Sequence, residues 1–421
     1  MLVGVAVLTT AAFMAPPAKA QAQQQSTAPD GANLTLTASA FGGYDTDVTG
    51  STVNPSDVRP SASSAGAIVT LNYRIRSDRI GFGTRASLDS RYYNTDPAIR
   101  GTSYSGLTVF GAELSSRLRV DASASGVYSP QFAFNVFAAN DIPEDLPPPT
   151  LDYGVTPYDV ASYFGTGSAT FQVTRRSSLT ASYSAGQYRY LDDDYSMTTR
   201  SYGGGFSHGL TRYASLQLGY AQLEAEYPAF GGAERTPLKQ RYINAGVSYS
   251  RPLSVSRRTT LSFGTGSAVL DYQQETFYTV TGNAALRHQF KRTWNVTAGY
   301  SRGLGVVVGF AEPFLADAAS ASVTGNLSRN TRMLIGTGFT DGDVGLGSLA
   351  ENFRSFQSTA RVEYAITERV AIFSNYFFYS YDFGEGFRPR GVPVWLDRHG
   401  VRGGVIVRFP LVEERTTRVT R

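Results

Sequence analysis

Few residues in this chain are of types that could carry out a reaction. Its 421 residues include three histidines, His208, His288 and His399, and no cysteine. That excludes thiolate nucleophiles, thiolate metal sites and disulfides. His399 has Asp397 two residues before it, but hydrolysis needs a nucleophile or an acid held within hydrogen-bond reach of the base. Asp192, Asp193 and Asp194 together with Glu385 carry the oxygens a divalent cation would take, although a solvated loop is the simpler account. Glycine pairs such as Gly264 and Gly266 are not followed by a helical pattern, so they do not form a nucleotide-phosphate loop. No catalytic, cofactor-binding or metal-ligating residue is therefore assigned, and the chain is not read as an enzyme.

What remains is charge. Lys and Arg total 38, of which only Lys19, Lys239 and Lys291 are lysine. Acids concentrate in one segment without a basic residue, 135–159 (NVFAANDIPEDLPPPTLDYGVTPYD), which holds Asp141, Glu144, Asp145, Asp152 and Asp159. Seven arginines, Arg74, Arg85, Arg91, Arg287, Arg361, Arg402 and Arg408, fall on the polar face of alternating segments. If acids and arginines face each other across an aqueous constriction, they set up a transverse field that orients polar solutes and selects ions. That chemistry depends on the elements that position the two sets.

Composition narrows those elements. Charged residues make up 17% of the chain, hydrophobic residues 42%, and there are 43 Gly, 26 Tyr and 25 Phe. So many aromatics with a net charge of +4 exclude a disordered chain. No apolar run of about 18 residues occurs beyond the N-terminus, which excludes a helical membrane protein. Residues 2–15 are apolar and lead into Ala18-Lys19-Ala20 and Ala20-Gln21-Ala22, both small-x-small cleavage patterns. Residues 1–22 are read as a signal peptide, 23–32 as a short periplasmic linker, 33–410 as the folded body and 411–421 as a charged tail. Export without cysteine suggests a bacterial envelope protein.

From Asn33 onward apolar and polar residues alternate with period two. Val401, Gly403, Val405, Val407 and Phe409 share one face, opposite Arg402, Gly404, Ile406 and Arg408. Tyr278, Val280, Leu286 and Phe290 oppose Thr279, Thr281, Asn283 and Arg287, and Val69, Leu71, Tyr73 and Ile75 oppose Thr70, Asn72, Arg74 and Arg76. Short polar turns containing Arg separate the segments in pairs, at 77–79, 115–117, 175–177, 211–212, 256–258, 291–293, 329–332 and 367–369. The intervening connections, such as 48–63, 135–159, 228–239 and 384–397, are longer and rich in Gly, Pro and Asp.

Tall alternating strands, with short turns at one end and long loops at the other, predict an all-β transmembrane antiparallel up-and-down barrel. In lipid every backbone amide needs a partner, so the strands must close on themselves. The turns predict eighteen strands, or sixteen if the segments around 135–165 and 341–353 do not each contribute. Closure would pair Leu34, Leu36 and Ala38 with Val405, Val407 and Phe409. Aromatics at the ends of the apolar face, among them Tyr44, Tyr163, Tyr183, Tyr278, Trp294 and Phe339, suit the girdles at the headgroup levels. Tyr376 with Phe378 and Tyr379 with Tyr381 occupy both faces of one segment, so one pair must point inward.

Gly42-Gly43-Tyr44-Asp45-Thr46-Asp47-Val48 resembles the Gly-Tyr-Asp-x-Asn-Val strand end of the bacterial outer-membrane β-barrel porins found beside exopolysaccharide gene clusters. Asp47 stands where that pattern has Asn. The resemblance implies an outer-membrane polysaccharide secretion channel working with periplasmic partners. Composition alone leaves two further readings open. The first, and the reading preferred here, is a porin-like channel for hydrophilic solutes, narrowed by the 135–159 segment. The other is a structural or adhesive barrel with a closed lumen. Expected partners are outer-membrane lipid and lipopolysaccharide, the barrel-insertion machinery, and a hydrophilic solute or polysaccharide. No nucleic acid or cofactor is expected.

Overall fold

The computed structural model describes residues 31–46, 48, 61–95, 98–131, 155–191, 196–226, 237–252, 258–272, 275–306, 313–345, 351–383 and 395–413. The segment read as a signal peptide, most of the linker and residues 414–421 lie outside them. Eighteen strands follow one another. They are β1 (Gly31–Asp45), β2 (Ala62–Arg76), β3 (Ile80–Tyr93), β4 (Ile99–Glu113), β5 (Leu118–Gln131) and β6 (Val155–Gln172). Next come β7 (Ser177–Tyr190), β8 (Ser196–Gly209), β9 (Ala214–Glu226), β10 (Pro237–Pro252), β11 (Thr259–Tyr272) and β12 (Glu275–Phe290). The last six are β13 (Trp294–Val306), β14 (Pro313–Asn326), β15 (Thr331–Val344), β16 (Glu351–Ala365), β17 (Val370–Phe383) and β18 (Trp395–Glu413). Each pairs antiparallel with its chain neighbours, and β1 also pairs with β18, so the sheet closes without an edge.

Closure joins the faces read from alternation but two residues along from the expected register: Leu36 lies opposite Phe409, Ala38 opposite Val407 and Ala40 opposite Val405, while Leu34 lies opposite Val412. Among the described residues short turns recur between β2 and β3, β4 and β5, β6 and β7, β8 and β9, β12 and β13, β14 and β15, and β16 and β17, and side-chain hydroxyls hold several of them. The turn expected at 256–258 lies largely outside the described residues. Ser115, Thr174, Thr211, Ser328 and Thr367 each accept from a backbone amide two or three residues on. Such bonds satisfy turn amides locally and let the chain reverse within a few residues.

Two boundaries differ from those read in sequence. β1 begins at Gly31 rather than Asn33. β18 continues through Pro410 to Glu413, three residues into the segment read as a tail, because Val412 and Glu413 pair with Leu34 and Asn33. A register shift between Leu34 and Thr35 absorbs Leu411 beside the proline. A proline lacks the ladder donor and is tolerated at such a bulge.

The two faces have opposite chemistry. Large apolar side chains of one parity stay exposed: Val405, Phe409, Leu71, Ile75, Val280 and Tyr278, the last at 78%. The other parity holds the buried residues, among them Arg402, Ile406, Arg91, Phe41, Phe377 and Ala268. A water-soluble sandwich buries its apolar face; this barrel turns it outward, as a transmembrane barrel must. The tyrosines and phenylalanines expected at the girdles lie on that outer face, including Tyr44, Tyr92, Tyr163, Tyr183, Tyr220, Tyr300 and Phe339.

Candidate functional site: an arginine and aromatic wall inside the barrel

Inward-facing residues differ sharply around the circumference. On β5 to β10 many are small and hydroxyl-bearing, although β5 also carries the Arg119–Asp121 ion pair inward and Tyr188 and Tyr242 stand among them. Ser123 and Thr166 share a hydrogen bond of 2.7 Å, Ser215 and Ser248 one of 2.8 Å, and Thr170 and Thr180 one of 3.2 Å. Ser182 and Ser184 continue this surface on β7, with Gly203 and Gly205 beside them on β8. It is a hydroxyl-lined wall, and its Thr170 and Ser182 rows end on β5 in the Arg119–Asp121 ion pair at 2.8 Å.

Charge gathers on the opposite side, around the closure seam of β16, β17, β18, β1, β2 and β3. Three cross-strand rows make it up. Arg361, Asn375, Arg402, Gly43 and Ser64 align at one level. Glu363, Phe373, Gly404, Phe41, Gly66 and Arg91 align one row nearer the short turns. Thr359, Phe377, Gly400, Asp45 and Ala62 align one row nearer the loops.

One carboxylate serves two guanidiniums here. Asp45 Oδ2 lies 3.3 Å from Arg398 Nη2 and 3.4 Å from Arg402 Nη2, and its own side chain is fully buried. Arg398 is likewise fully buried, and its Nη2 donates to the Tyr93 hydroxyl at 3.3 Å. Aromatic faces take up the remaining cationic surface. The Arg402 guanidinium sits 4.6 Å from the Phe377 ring centre and 5.5 Å from that of Phe41, and Arg361 lies 4.3 Å from that of Phe373. A cation over a π-face gains electrostatic attraction while the ring excludes water, which helps to hold these charges in the wall. Towards the short turns Glu363 bridges Arg408 and Arg361, and Asp89 pairs with Arg91 at 2.5 Å.

Glycine makes this packing possible at two points. A Cβ on Gly43 would meet the Val401 carbonyl oxygen at 2.5 Å and Arg402 Cγ at 2.8 Å. A Cβ on Gly400 would collide with the Phe377 ring and with Asp45. The Gly43-Tyr44-Asp45 segment that carries the family resemblance thus has a physical role. Gly43 leaves space for Arg402, Tyr44 points outward, and Asp45 holds the two arginines across the seam.

Of the seven arginines singled out in the sequence, Arg91, Arg361, Arg402 and Arg408 come together on this wall. Arg74 and Arg85 lie on the inward parity of β2 and β3 nearer the short turns, where Arg85 Nε donates to Asn72 Oδ1 at 2.5 Å. Arg287 lies on β12, well around the circumference from the seam. Sequence reasoning missed Arg398, Asp45 and Glu363. Arg398 shares its face with Arg402 four residues later, a parity signal that stands just beyond the connection read at 384–397.

The acidic segment gives a different result. Asp141, Glu144, Asp145 and Asp152 lie outside the described residues. Asp159 belongs to a strand rather than to the loop: β6 starts at Val155, and Asp159 Oδ2 accepts from the Tyr128 hydroxyl at 2.7 Å. It shares the parity of the outward-facing Tyr163, so it does not face the arginine wall. The Val155–Phe164 stretch is rich in β-branched and aromatic residues and extends the strand past the aspartate.

β17 resolves the ambiguity of its aromatics. Phe377, Tyr379 and Tyr381 point inward and are buried, whereas Tyr376 is exposed on the outer face. His399 is also outward. Its Nδ1 is 2.8 Å from the Tyr376 hydroxyl, its ring lies 4.5 Å from Phe378, and its Nε2 is 3.7 Å from Asp397 Oδ1. His208 and His288 bond Ser177 and Thr259 beside short turns. Among the described residues no cluster of three or more His, Asp or Glu could hold a metal ion.

No protein-family model matches the chain, and no curated protein does. Solved structures are similar in fold. OpdQ of Pseudomonas aeruginosa is 12% identical, with 90% of this chain and 98% of that chain covered and a TM-score of 0.45. OccK7 (OpdD) of the same organism is 13% identical, covering 90% and 99%, at 0.44. The siderophore receptor PirA of Acinetobacter baumannii is 9% identical, covering 91% and 81%, also at 0.44.

Proposed function

We propose that the chain is a bacterial outer-membrane barrel whose lumen conducts small hydrophilic solutes, with a preference for anions. The observation that carries this reading is the asymmetry of the inward face: a cluster of arginines on one wall, and mainly hydroxyls and glycines, with the self-neutralised Arg119–Asp121 pair, on the other. A closed ring of eighteen strands encloses more space than its own side chains fill, which supports an aqueous path. Fixed guanidiniums beside that path raise the local concentration of anions, and the hydroxyl wall offers donors and acceptors to replace lost hydration. The 135–159 segment, with Asp141, Glu144, Asp145 and Asp152, is proposed to narrow the path from the loop side.

The test is single-channel recording of the refolded full chain in a planar bilayer, beside a variant lacking residues 141–154, which stops short of β6. Steady conductance that rises on deletion is the expected result. Silence in both would reject the channel.

A second reading, export of a polysaccharide with periplasmic partners, is favoured by one observation. Phe377, Tyr379 and Tyr381 carry aromatic groups on the inward face at the loop end, buried at 0–2% exposure, so a sugar would stack on them only if the surrounding wall shifted. Under that reading the isolated barrel is silent, and conductance appears only with its partner proteins. Glycosyltransferase genes beside this one would add support.

A further inference from the structure

The short-turn end of the barrel carries charge that neither wall of the lumen uses. Among the described residues outside the strands at this end stand ten basic side chains, including Arg79, Arg117, Arg212 and Arg329, against two acidic ones, Asp78 and Glu368. All ten bases are exposed. The whole chain has a net charge of only +4, so outside these turns acids outnumber bases. A general preference for arginine over lysine does not gather base at one end. Arg79, Arg117, Arg175, Arg176, Arg329 and Arg369 form no ion pair among the described residues. At the loop end, by contrast, exposed arginines are matched, Arg302 with Asp317 and Arg354 with Asp341.

The turns hold this charge in place. Hydroxyl bonds from Ser115, Thr174, Thr211, Ser328 and Thr367 fix the backbone beside the arginines. The turn from β12 to β13 keeps Lys291 at a φ of 58°, a conformation that glycine adopts at less cost. Successive turns join every second strand, which sets them about 10 Å apart at about 4.8 Å per strand spacing. The screening length at physiological salt is about 8 Å, so the fields of neighbouring turns run together into one positive collar. A small anion meets one or two turns; a long ligand with repeated negative charge engages the collar as a whole. The charge also continues inside. Arg74 and Arg287, both exposed, lie on the inward parity within four residues of their turns. Headgroups of the surrounding bilayer do not reach those two, whereas a polymer threading the mouth passes them.

We infer that the short-turn end of the barrel is the capture site for a polymer of acidic sugars, which enters the lumen there. The inference rests on the export reading and deepens it, since it makes the polymer a carrier of carboxylates and assigns the end at which it enters. Each arginine donates charge-assisted hydrogen bonds to a carboxylate, and many weak contacts add along one chain.

The test follows fluorescence anisotropy of end-labelled oligogalacturonate, and of a neutral dextran oligomer of equal length, on the folded full chain in non-ionic detergent. The wild type is expected to bind the acidic oligomer about tenfold more tightly, with an affinity that falls as salt is added. Arg117→Gln, Arg329→Gln and Arg369→Gln together should weaken that binding about eightfold, about a factor of two for each exposed charge contact. Arg100→Gln, Lys239→Gln and Arg354→Gln remove the same charge from exposed positions at the loop end and should change it less than about twofold. Should the triple turn variant fail to fold, Arg329→Gln alone is read for its loss of about twofold. Equal affinity for the acidic and neutral oligomers would overturn the inference and leave export of a neutral polymer standing. So would equal losses in the turn and loop-end variants, or competition by free galacturonate as effective as by the oligomer at equal sugar concentration. Turn variants that bind the oligomer normally but attach less well to phosphatidylglycerol vesicles would make the collar a headgroup anchor instead. Export itself is judged separately, by conductance that appears with the partner proteins.

Discussion

Replacing Asp45 by Asn removes one negative charge from the closure seam and leaves the shape nearly unchanged. In the native barrel that carboxylate faces Arg398 at 3.3 Å and Arg402 at 3.4 Å, with all three side chains at most 4% exposed. At an effective dielectric of about 20, each pair attracts by about 5 kcal/mol, most of which offsets the desolvation of the ions. After the substitution the two guanidiniums remain buried without that charge, and such a loss costs about 3–5 kcal/mol. Asp121→Asn provides the comparison. Asp121 pairs with Arg119 at 2.8 Å, but the two side chains are 40% and 30% exposed, so the cost should stay under about 1 kcal/mol. Urea unfolding in lipid vesicles, followed by fluorescence of Trp294 and Trp395, measures both; Trp395 opens β18 at the loop end of the seam. If Asp45→Asn were as stable as the wild type to within about 0.5 kcal/mol, Asp45 would not be the charge that holds the arginine wall.

Three more outcomes are expected. Gly400→Ala forces a Cβ into Phe377 and Asp45 and should sharply lower the folded fraction on heat-modifiable gel mobility, whereas Gly167→Ala, with open space around its Cβ position, should leave it unchanged. Val405→Arg places a charge on the lipid face near mid-strand and should cost about 2–4 kcal/mol by the same urea assay, while Thr166→Arg on the inward face should cost far less. Arg361→Gln with Arg402→Gln should shift the reversal potential in a salt gradient towards cation preference; an unchanged reversal potential would separate the arginine wall from ion selection.

Much of the barrel can be read along the chain because its strands are written in local alternation. The short turns predicted at 77–79, 291–293 and 367–369 are the ones observed, and the count of eighteen follows from them. The outward face of Val69, Leu71, Tyr278, Val280 and Val405 was legible for the same reason, since period two in a strand assigns faces directly. Legibility failed where composition pointed both ways. Asp159 follows a proline-rich acidic stretch and reads as loop, yet the residues after it favour a strand. Pro410 reads as a terminator, and the ladder passes it by a bulge. β17 carries aromatics on both parities, so no pattern within it could choose Tyr379 and Tyr381 as the inward pair.

The sequence by itself determined the strands, their faces, the hairpin order and the need for closure, because each depends on neighbours a few residues apart or on the rule that lipid tolerates no free sheet edge. Only the tertiary structure decided which charges meet. Asp45 and Arg402 are 357 residues apart, yet they share a wall because closure lays β1 beside β18 in one particular register. On the outer face Arg302, Asp317, Asp341, Arg354 and Asp382 form a row only through the stagger of five strands. A one-residue slip of register would turn every side chain of a strand to its other face, so cross-strand neighbours follow from the closed sheet as a whole and from no local pattern.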